Sequence, residues 1–191
     1  MELIFATGNQ HKANEVQQIL QQRLPGVTVG TFGGESPAET GTSFLENALI
    51  KARNVHQLTG KPAFADDSGI SVEVMGGAPG IFSAIWSGTR DDETNRNLLL
   101  AQLQDIGVEH RQASFVCTVA FVSDEAEVSF TGVWPGVIAL AARGDGGFGY
   151  DPVFIPEGFE VTAAQLPAEV KNSMSHRFLA ITQMADYLSQ L

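Results

Sequence analysis

The chain opens on a strand, a glycine turn and a helix, and that order constrains everything after it. Leu3 to Ala6 is a short apolar run interrupted by Thr7-Gly8. Ala13, Val16, Ile19 and Leu20 then recur at the spacing of one helix face, ended by Pro25-Gly26. Val27 to Phe32 is strand-like again. After the polar loop Gly33 to Gly41, Ser43 and Glu46 form a capping box, and Leu45, Leu49, Ala52 and Val55 mark a second helix stopping near Gly60. Two short strands, Pro62 to Ala65 and Ile70 to Met75, are expected to flank Asp66-Asp67-Ser68-Gly69, and a third helix runs from about Asp92 to Ile106. Gln112 to Val122 and Glu127 to Val133 pair across the turn Ser123 to Ala126. Val137 to Ala142 is a further strand, Arg143 to Pro152 a glycine-rich loop, and Phe178, Ile181, Ala185 and Leu188 line a last helix. This order predicts an α/β fold, a mixed β-sheet flanked by helices on both faces. With 191 residues and no linker or repeat, residues 1–191 read as a single domain with room for two lobes.

Charge removes several classes of function. Eleven Lys+Arg against 22 Asp+Glu leave a net charge of -11, which repels nucleic-acid backbone and anionic lipid at long range. A small phosphate ligand stays compatible, because local cations and backbone N–H groups can reverse the field within a cleft. The single cysteine, Cys117, excludes an internal disulfide and lies in an apolar run where it reads as a small buried hydrophobe. No secretory signal and no apolar stretch near the ~20 residues of a membrane span is visible, so a cytoplasmic location is expected.

Four segments carry chemical potential, each with a plainer reading beside it. Thr7-Gly8-Asn9-Gln10-His11-Lys12, between strand and helix, offers helix N–H groups and a positive dipole end to an anion. Lys12 in the first turn opposes that dipole unless an anion relieves it. The plainer alternative is a solvated lysine beside a tight turn. Asp66-Asp67-Ser68-Gly69, with Glu39 in the preceding loop, offers hard oxygen ligands of the kind Mg²⁺ shares with substrate phosphates, or is ordinary turn chemistry. Successive side chains alternate, so one of the two aspartates faces any cleft. In Arg143 to Pro152, four glycines among six residues permit close backbone approach to a ligand, and Phe148 offers a face to a planar base; otherwise its aromatics tuck onto the core. Lys171 to Arg177 gathers Lys171, His176 and Arg177 at the expected start of the last helix, as donors to an acceptor-rich ligand or as a solvated basic turn.

The same segments occur together and in order: Thr7-Gly-Asn-x-x-Lys12, Ser43-Phe-Leu-Glu-Asn-Ala48, Ala65-Asp-Asp-Ser-Gly69, Gly146-Gly-Phe-Gly-Tyr-Asp-Pro152 and Lys171-Asn-x-x-Ser-His-Arg177. In this the chain resembles the inosine/xanthosine triphosphate pyrophosphatase family, over about residues 3 to 188. The resemblance implies an elongated α/β homodimer that uses Mg²⁺ to hydrolyse ITP, dITP and XTP to monophosphate and pyrophosphate, clearing non-canonical purine nucleotides from the pool. It implies that Thr7, Gly8, Asn9, Gln10, His11 and Lys12 cradle the triphosphate, that Glu39 and Asp67 bind the metal, and that Asp67 is catalytic. Ser68 becomes a substrate contact, and Phe148, Gly149, Tyr150, Asp151, Lys171, His176 and Arg177 recognise the base. Bacterial members usually carry Ala-Arg-Tyr before Ser-Gly; here Ala84-Ile85-Trp86 stands in that place, so the arginine's role is lost or passes to a residue such as Arg90. Two other functions fit the same residues: a non-catalytic nucleotide sensor, and a phosphatase acting at the γ end. The products of a nucleotide panel separate all three.

Overall fold

The computed structural model describes residues 2–190. Its strands are β1 (Glu2–Phe5), β2 (Thr28–Thr31), β3 (Ala63–Val72), β4 (Gln112–Val122), β5 (Glu127–Ile138) and β6 (Phe154–Pro156). Its α-helices are α1 (Gln10–Arg23), α2 (Phe44–Thr59), α3 (Asp92–Gln102), α4 (Ala168–Asn172) and α5 (His176–Leu188). The strands form one six-stranded sheet in the order β2-β1-β3-β4-β5-β6. β1 runs parallel to β2 and to β3, and β6 antiparallel to β5, so the sheet is mixed as the element order implies. Two compact units result: among the described residues the first comprises 2–67, Cys117–Gly132 and 176–190, the second Ser68–Val116 and Val133–Ser175. Among the described residues no helix is long and apolar enough to cross a membrane.

In the first unit the two-residue period of the strands sorts side chains onto two faces. Phe64 of β3 and Cys117, Val119 and Phe121 of β4 join Phe5, the α1 residues Ala13, Val16, Ile19 and Leu20, and the α5 residues Ile181, Met184, Ala185 and Leu188 in one buried cluster. Phe5 and Phe64 stack within it, ring centroids 4.7 Å apart. The alternate residues, Ala63, Ala65, Ala120 and Val122, pack with Ala48, Ala52 and Val55 of α2. These alanines leave room for the helix to lie close to the sheet. The second unit has its own core, in which Phe115, Trp134 and Phe154 pack around Ile70, Leu99 and Val153.

Several expectations need correction. Asp66-Asp67-Ser68-Gly69 is no turn: β3 runs unbroken through it. Its glycine answers a close approach, since a Cβ on Gly69 would lie 2.3 Å from the Gly80 carbonyl and 2.4 Å from Ser83 Oγ. That hydroxyl accepts from Ile70 N at 2.9 Å and donates to Gly80 O at 2.6 Å. Val137 to Ala142 is not a separate strand, because β5 continues through Pro135 to Ile138, and Gly136–Ile138 pair with β6, which the sequence does not announce. Pro135 is tolerated there with its carbonyl accepting from Glu157 N at 2.9 Å. Helix α3 ends at Gln102, short of Ile106, with the buried Arg111 donating to the carbonyls of Leu103 and Ile106 just beyond it. On α2, Leu45 is exposed while Asn47 and Lys51 are buried. Ser43 caps α2 as expected, and the Glu46 carboxylate takes the N–H and hydroxyl of Thr42 in addition to a weaker backbone contact from Ser43. Finally, Lys171 to Arg177 is not one helix start: Lys171 lies in the last turn of a short helix, α4, and His176 and Arg177 open α5.

Candidate active site

Because β3 stays a strand through Asp66 and Asp67, their carboxylates are delivered to opposite faces, each to cations from the helices on that side. Asp66 shares the parity of Phe64 and meets α1 and α5. Lys12 Nζ lies 3.0 Å from its Oδ2, and Arg177 Nε and Nη2 donate to the same oxygen at 3.3 Å. Arg177, itself buried, also pairs through Nη1 with Glu15 of α1. Burial alone would push the Asp66 carboxyl up, but Lys12, Arg177 and Lys51 together hold it well below the usual carboxylate range. The Cys117 thiol stands 3.8 Å from Asp66, and burial together with that negative neighbour pushes it up to about 12, so it is inert.

Asp67 shares the parity of Ala65 and meets α2. Asn47 Nδ2 donates to its Oδ2 at 3.2 Å, and Lys51 Nζ lies 3.4 Å from its Oδ1 and 2.6 Å from Glu39 Oε1. Asn47 is placed by Gly41, whose N–H donates to Asn47 Oδ1 at 2.9 Å and where a Cβ would collide with that oxygen. Burial raises the Asp67 carboxyl above its ordinary value and the charge of Glu39 adds to the rise, against the pull of Lys51 and Lys12. Desolvation works against the Lys51 ammonium, yet Asp67, Asp66 and Glu39 keep it protonated above its ordinary range.

Two carboxylates from separate segments therefore converge on one positive charge. The donor set suits a hard divalent ion, which is commonly held by one or two carboxylates together with a ligand's phosphate oxygens. Among the described residues no group of three or more His, Cys, Asp or Glu could hold a metal unaided, so such an ion would need those extra oxygens.

The turn into α1 is built by its own side chains. Thr7 Oγ1 accepts from Asn9 N at 3.1 Å, and Asn9, the N-cap, accepts from Lys12 N at 3.2 Å. Gly8, Asn9, Gln10 and His11 are exposed. A Cβ on Gly8 would meet no protein atom within 4 Å and its φ is not left-handed, so nothing within the chain requires glycine there.

In the second unit, Asp151 and Lys171 are buried and pair at 2.7 Å. Asp151 Oδ2 also accepts from Phe148 N at 2.9 Å, and Lys171 Nζ sits 5.0 Å from the centroid of the Phe148 ring, a cation–π arrangement. A Cβ on Gly147, whose φ is +71°, would strike Asp151 Oδ2. Tyr150 donates its hydroxyl to Ser83 O at 2.8 Å, and Ser68 follows Asp67 along β3. Of the seven residues expected to recognise a base, Phe148, Gly149, Tyr150, Asp151 and Lys171 thus belong to the second unit, while His176 and Arg177 belong to the first. Arg90, the suggested substitute for a missing arginine, is exposed, and Trp86 bonds Gln102 through Nε1 at 2.8 Å.

Four participants were not singled out from sequence: Asn47, Lys51, Glu15 and, as a hub of ion pairs, Asp66. A signal existed for two of them. Asn47 and Lys51 are spaced i, i+4 on the same stripe as Ala48, Ala52 and Val55, a polar pair on a face otherwise destined for burial.

The Ham1 family model matches residues 3–187. A dITP/XTP pyrophosphatase of Leifsonia xyli subsp. xyli is 49% identical over 193 residues, covering 100% of this chain and 97% of that protein. One from Mycobacterium tuberculosis is 46% identical over 196 residues, covering 100% and 96%. The solved structure of a HAM1 protein from Coxiella burnetii matches with a TM-score of 0.91 at 37% identity, covering 100% of both chains.

Proposed function

Because this chain belongs to the Ham1 family, we propose that it is a dITP/XTP pyrophosphatase that also hydrolyses ITP, releasing the nucleoside monophosphate and pyrophosphate. The observation that carries the reading is the convergence of Glu39 and Asp67 on the Lys51 ammonium, 2.6 and 3.4 Å away, with Lys12 near enough to act on the Asp67 carboxyl as well. A hydrolase that binds a triphosphate needs cationic groups and metal-binding oxygens close together, and a mere sensor has no use for the second.

In this reading Thr7 to Lys12 bind the phosphate chain. Lys12, whose ammonium pairs with Asp66 at 3.0 Å, would supply charge to the phosphates, and the absence of a side chain at Gly8 would let their oxygens approach the backbone. Glu39 and Asp67 would hold Mg²⁺, which when bound neutralises charge on the phosphates. Asp67, raised above its ordinary value by burial, is suited to orient the attacking water and take up its proton. Water oxygen bonds the α-phosphorus, the α–β bridging P–O bond breaks, and pyrophosphate carries away the charge that Lys12 and Lys51 counter. Ser68 is a further substrate contact. Phe148 to Asp151 and Lys171 are assigned to the base, where the Lys171 ammonium favours a 6-oxo purine over a 6-amino one. The family resemblance implies that the protein acts as a cytoplasmic homodimer.

The test is a nucleotide panel with Mg²⁺ scored for both products. ITP and XTP should yield pyrophosphate, with ATP at least ~100-fold poorer in kcat/KM, a ratio within reach of unmatched polar groups. Release of single phosphate, or no turnover, overturns the proposal.

A further inference from the structure

The loop that carries Phe148 is expensive to order, with glycines at 144, 146, 147 and 149, of which Gly144, Gly147 and Gly149 have positive φ. Its base is secured by ordinary means: Arg143 N donates to Pro152 O at 2.8 Å, Thr162 Oγ1 donates to Arg143 O at 2.7 Å, and Gly146 N donates to Ala164 O at 3.1 Å. Its tip is secured differently. Gly149 N donates to Asp92 Oδ2 at 2.8 Å, and Arg96 Nη1 donates to Gly149 O at 2.7 Å. Asp92 and Arg96 stand four residues apart at the start of α3, on one face, so both backbone groups of a single glycine are gripped by two opposite charges. The amide that Asp92 holds is the peptide joining Phe148 to Gly149. Fixing that peptide fixes where Phe148 leaves the backbone, while Asp151 and Lys171 hold it from the other side.

We propose that Asp92 and Arg96 are positioning residues for base recognition: through Gly149 they set the orientation of the Phe148 ring, without touching substrate themselves. This rests on the assignment of Phe148 to the base. A surface pair that merely stabilised α3 would have no reason to spend both charges on the backbone of a distant glycine loop, and the i, i+4 partners would pair with each other.

The experiment compares the wild type with Asp92→Ala/Arg96→Ala, Arg96→Lys and Phe148→Ala. It reads KM and kcat for ITP and ATP, inhibition by inorganic triphosphate, and hydrogen exchange at the Gly149 amide. The double variant should raise KM for ITP about tenfold, the size of one lost charged hydrogen bond, with kcat within about twofold and the ITP-over-ATP preference compressed. Inhibition by inorganic triphosphate should not change, exchange at Gly149 should accelerate, and Arg96→Lys should keep most of the preference. If Phe148→Ala loses the preference and the double variant does not, the positioning role is overturned while the base assignment stands. If Phe148→Ala keeps the preference, the base assignment fails and takes this proposal with it. Should the double variant fail to fold by circular dichroism, Asp92→Ala alone carries the same readings.

Discussion

Lys51→Met removes the one ammonium that Glu39 and Asp67 share, and its cost can be worked from the geometry. At an effective dielectric constant of about 20, the attractions at 2.6 and 3.4 Å are roughly 6 and 5 kcal/mol before desolvation. The Glu39 side chain is 40% exposed, so water screens that contact and little of it survives as net stability. The Asp67 contact is buried, and stripping the partner from a buried charge costs about 3–5 kcal/mol; with Asn47 still donating, the lower end applies. A loss of about 3 kcal/mol is therefore expected, or roughly 6–12 °C in Tm for a chain of this size. Thermal and urea unfolding of Lys51→Met, Asp67→Asn and the double variant measure it. The double variant should lose less than Lys51→Met alone, because the orphaned charge is gone. The pH dependence has a definite sign. The folded-state value of Asp67 lies above its unfolded one, so between the two the folded state holds the extra proton. That contribution is present at low pH and is lost as pH rises through the folded value. Without Lys51 the folded value climbs further, so the deficit should shrink as pH falls from neutral toward the carboxylate range. Millimolar Mg²⁺ should restore part of the loss if the two carboxylates hold a cation. A variant as stable as wild type at neutral pH, or a deficit that does not move with pH, would show that the ammonium is a spectator.

Two further predictions separate the faces of β3. Asp67→Asn should lower kcat by more than ~10², while it destabilises less than Lys51→Met, since burial and Glu39 already penalise that carboxylate and Glu39 still pairs with Lys51; an active Asp67→Asn enzyme refutes the catalytic assignment. Asp66→Asn should instead destabilise by about 3–5 kcal/mol, because it leaves the buried Arg177 and Lys12 short of their shared carboxylate, and its deficit should vanish as acid protonates Asp66 in the wild type. The Cys117 thiol, pushed up to about 12, should resist a disulfide reagent at pH ~8 and react fully once the chain is unfolded in guanidinium; labelling of the native protein would refute its burial.

What the sequence made legible and what it hid both come down to the range of the forces involved. Helix α1 is readable because its four buried residues, Ala13, Val16, Ile19 and Leu20, recur with the helical period, and the end of α2 because Gly60 adopts the left-handed cap. Asp66 to Gly69 misleads because every local rule for that tetrapeptide describes a turn. The cations that make two buried aspartates tolerable in a strand, Lys12, Lys51 and Arg177, lie 54, 16 and 111 residues away in sequence, where no local pattern can see them. Gly69, likewise, is demanded by the distant segment Gly80–Ser83 and not by its own backbone. The alternation of side chains is the one local rule that survives the misreading. Applied to a turn it says only that one aspartate faces a cleft; applied to a strand it sends Asp66 to α1 and α5 and Asp67 to α2. The adjacent carboxylates thereby acquire opposite shifts in acidity, one locked below its ordinary value by ion pairs and one raised above it by burial. Division of labour between two neighbouring aspartates follows from the two-residue period of a strand, provided the strand is continuous, and it is this continuity that the long-range cations stabilise.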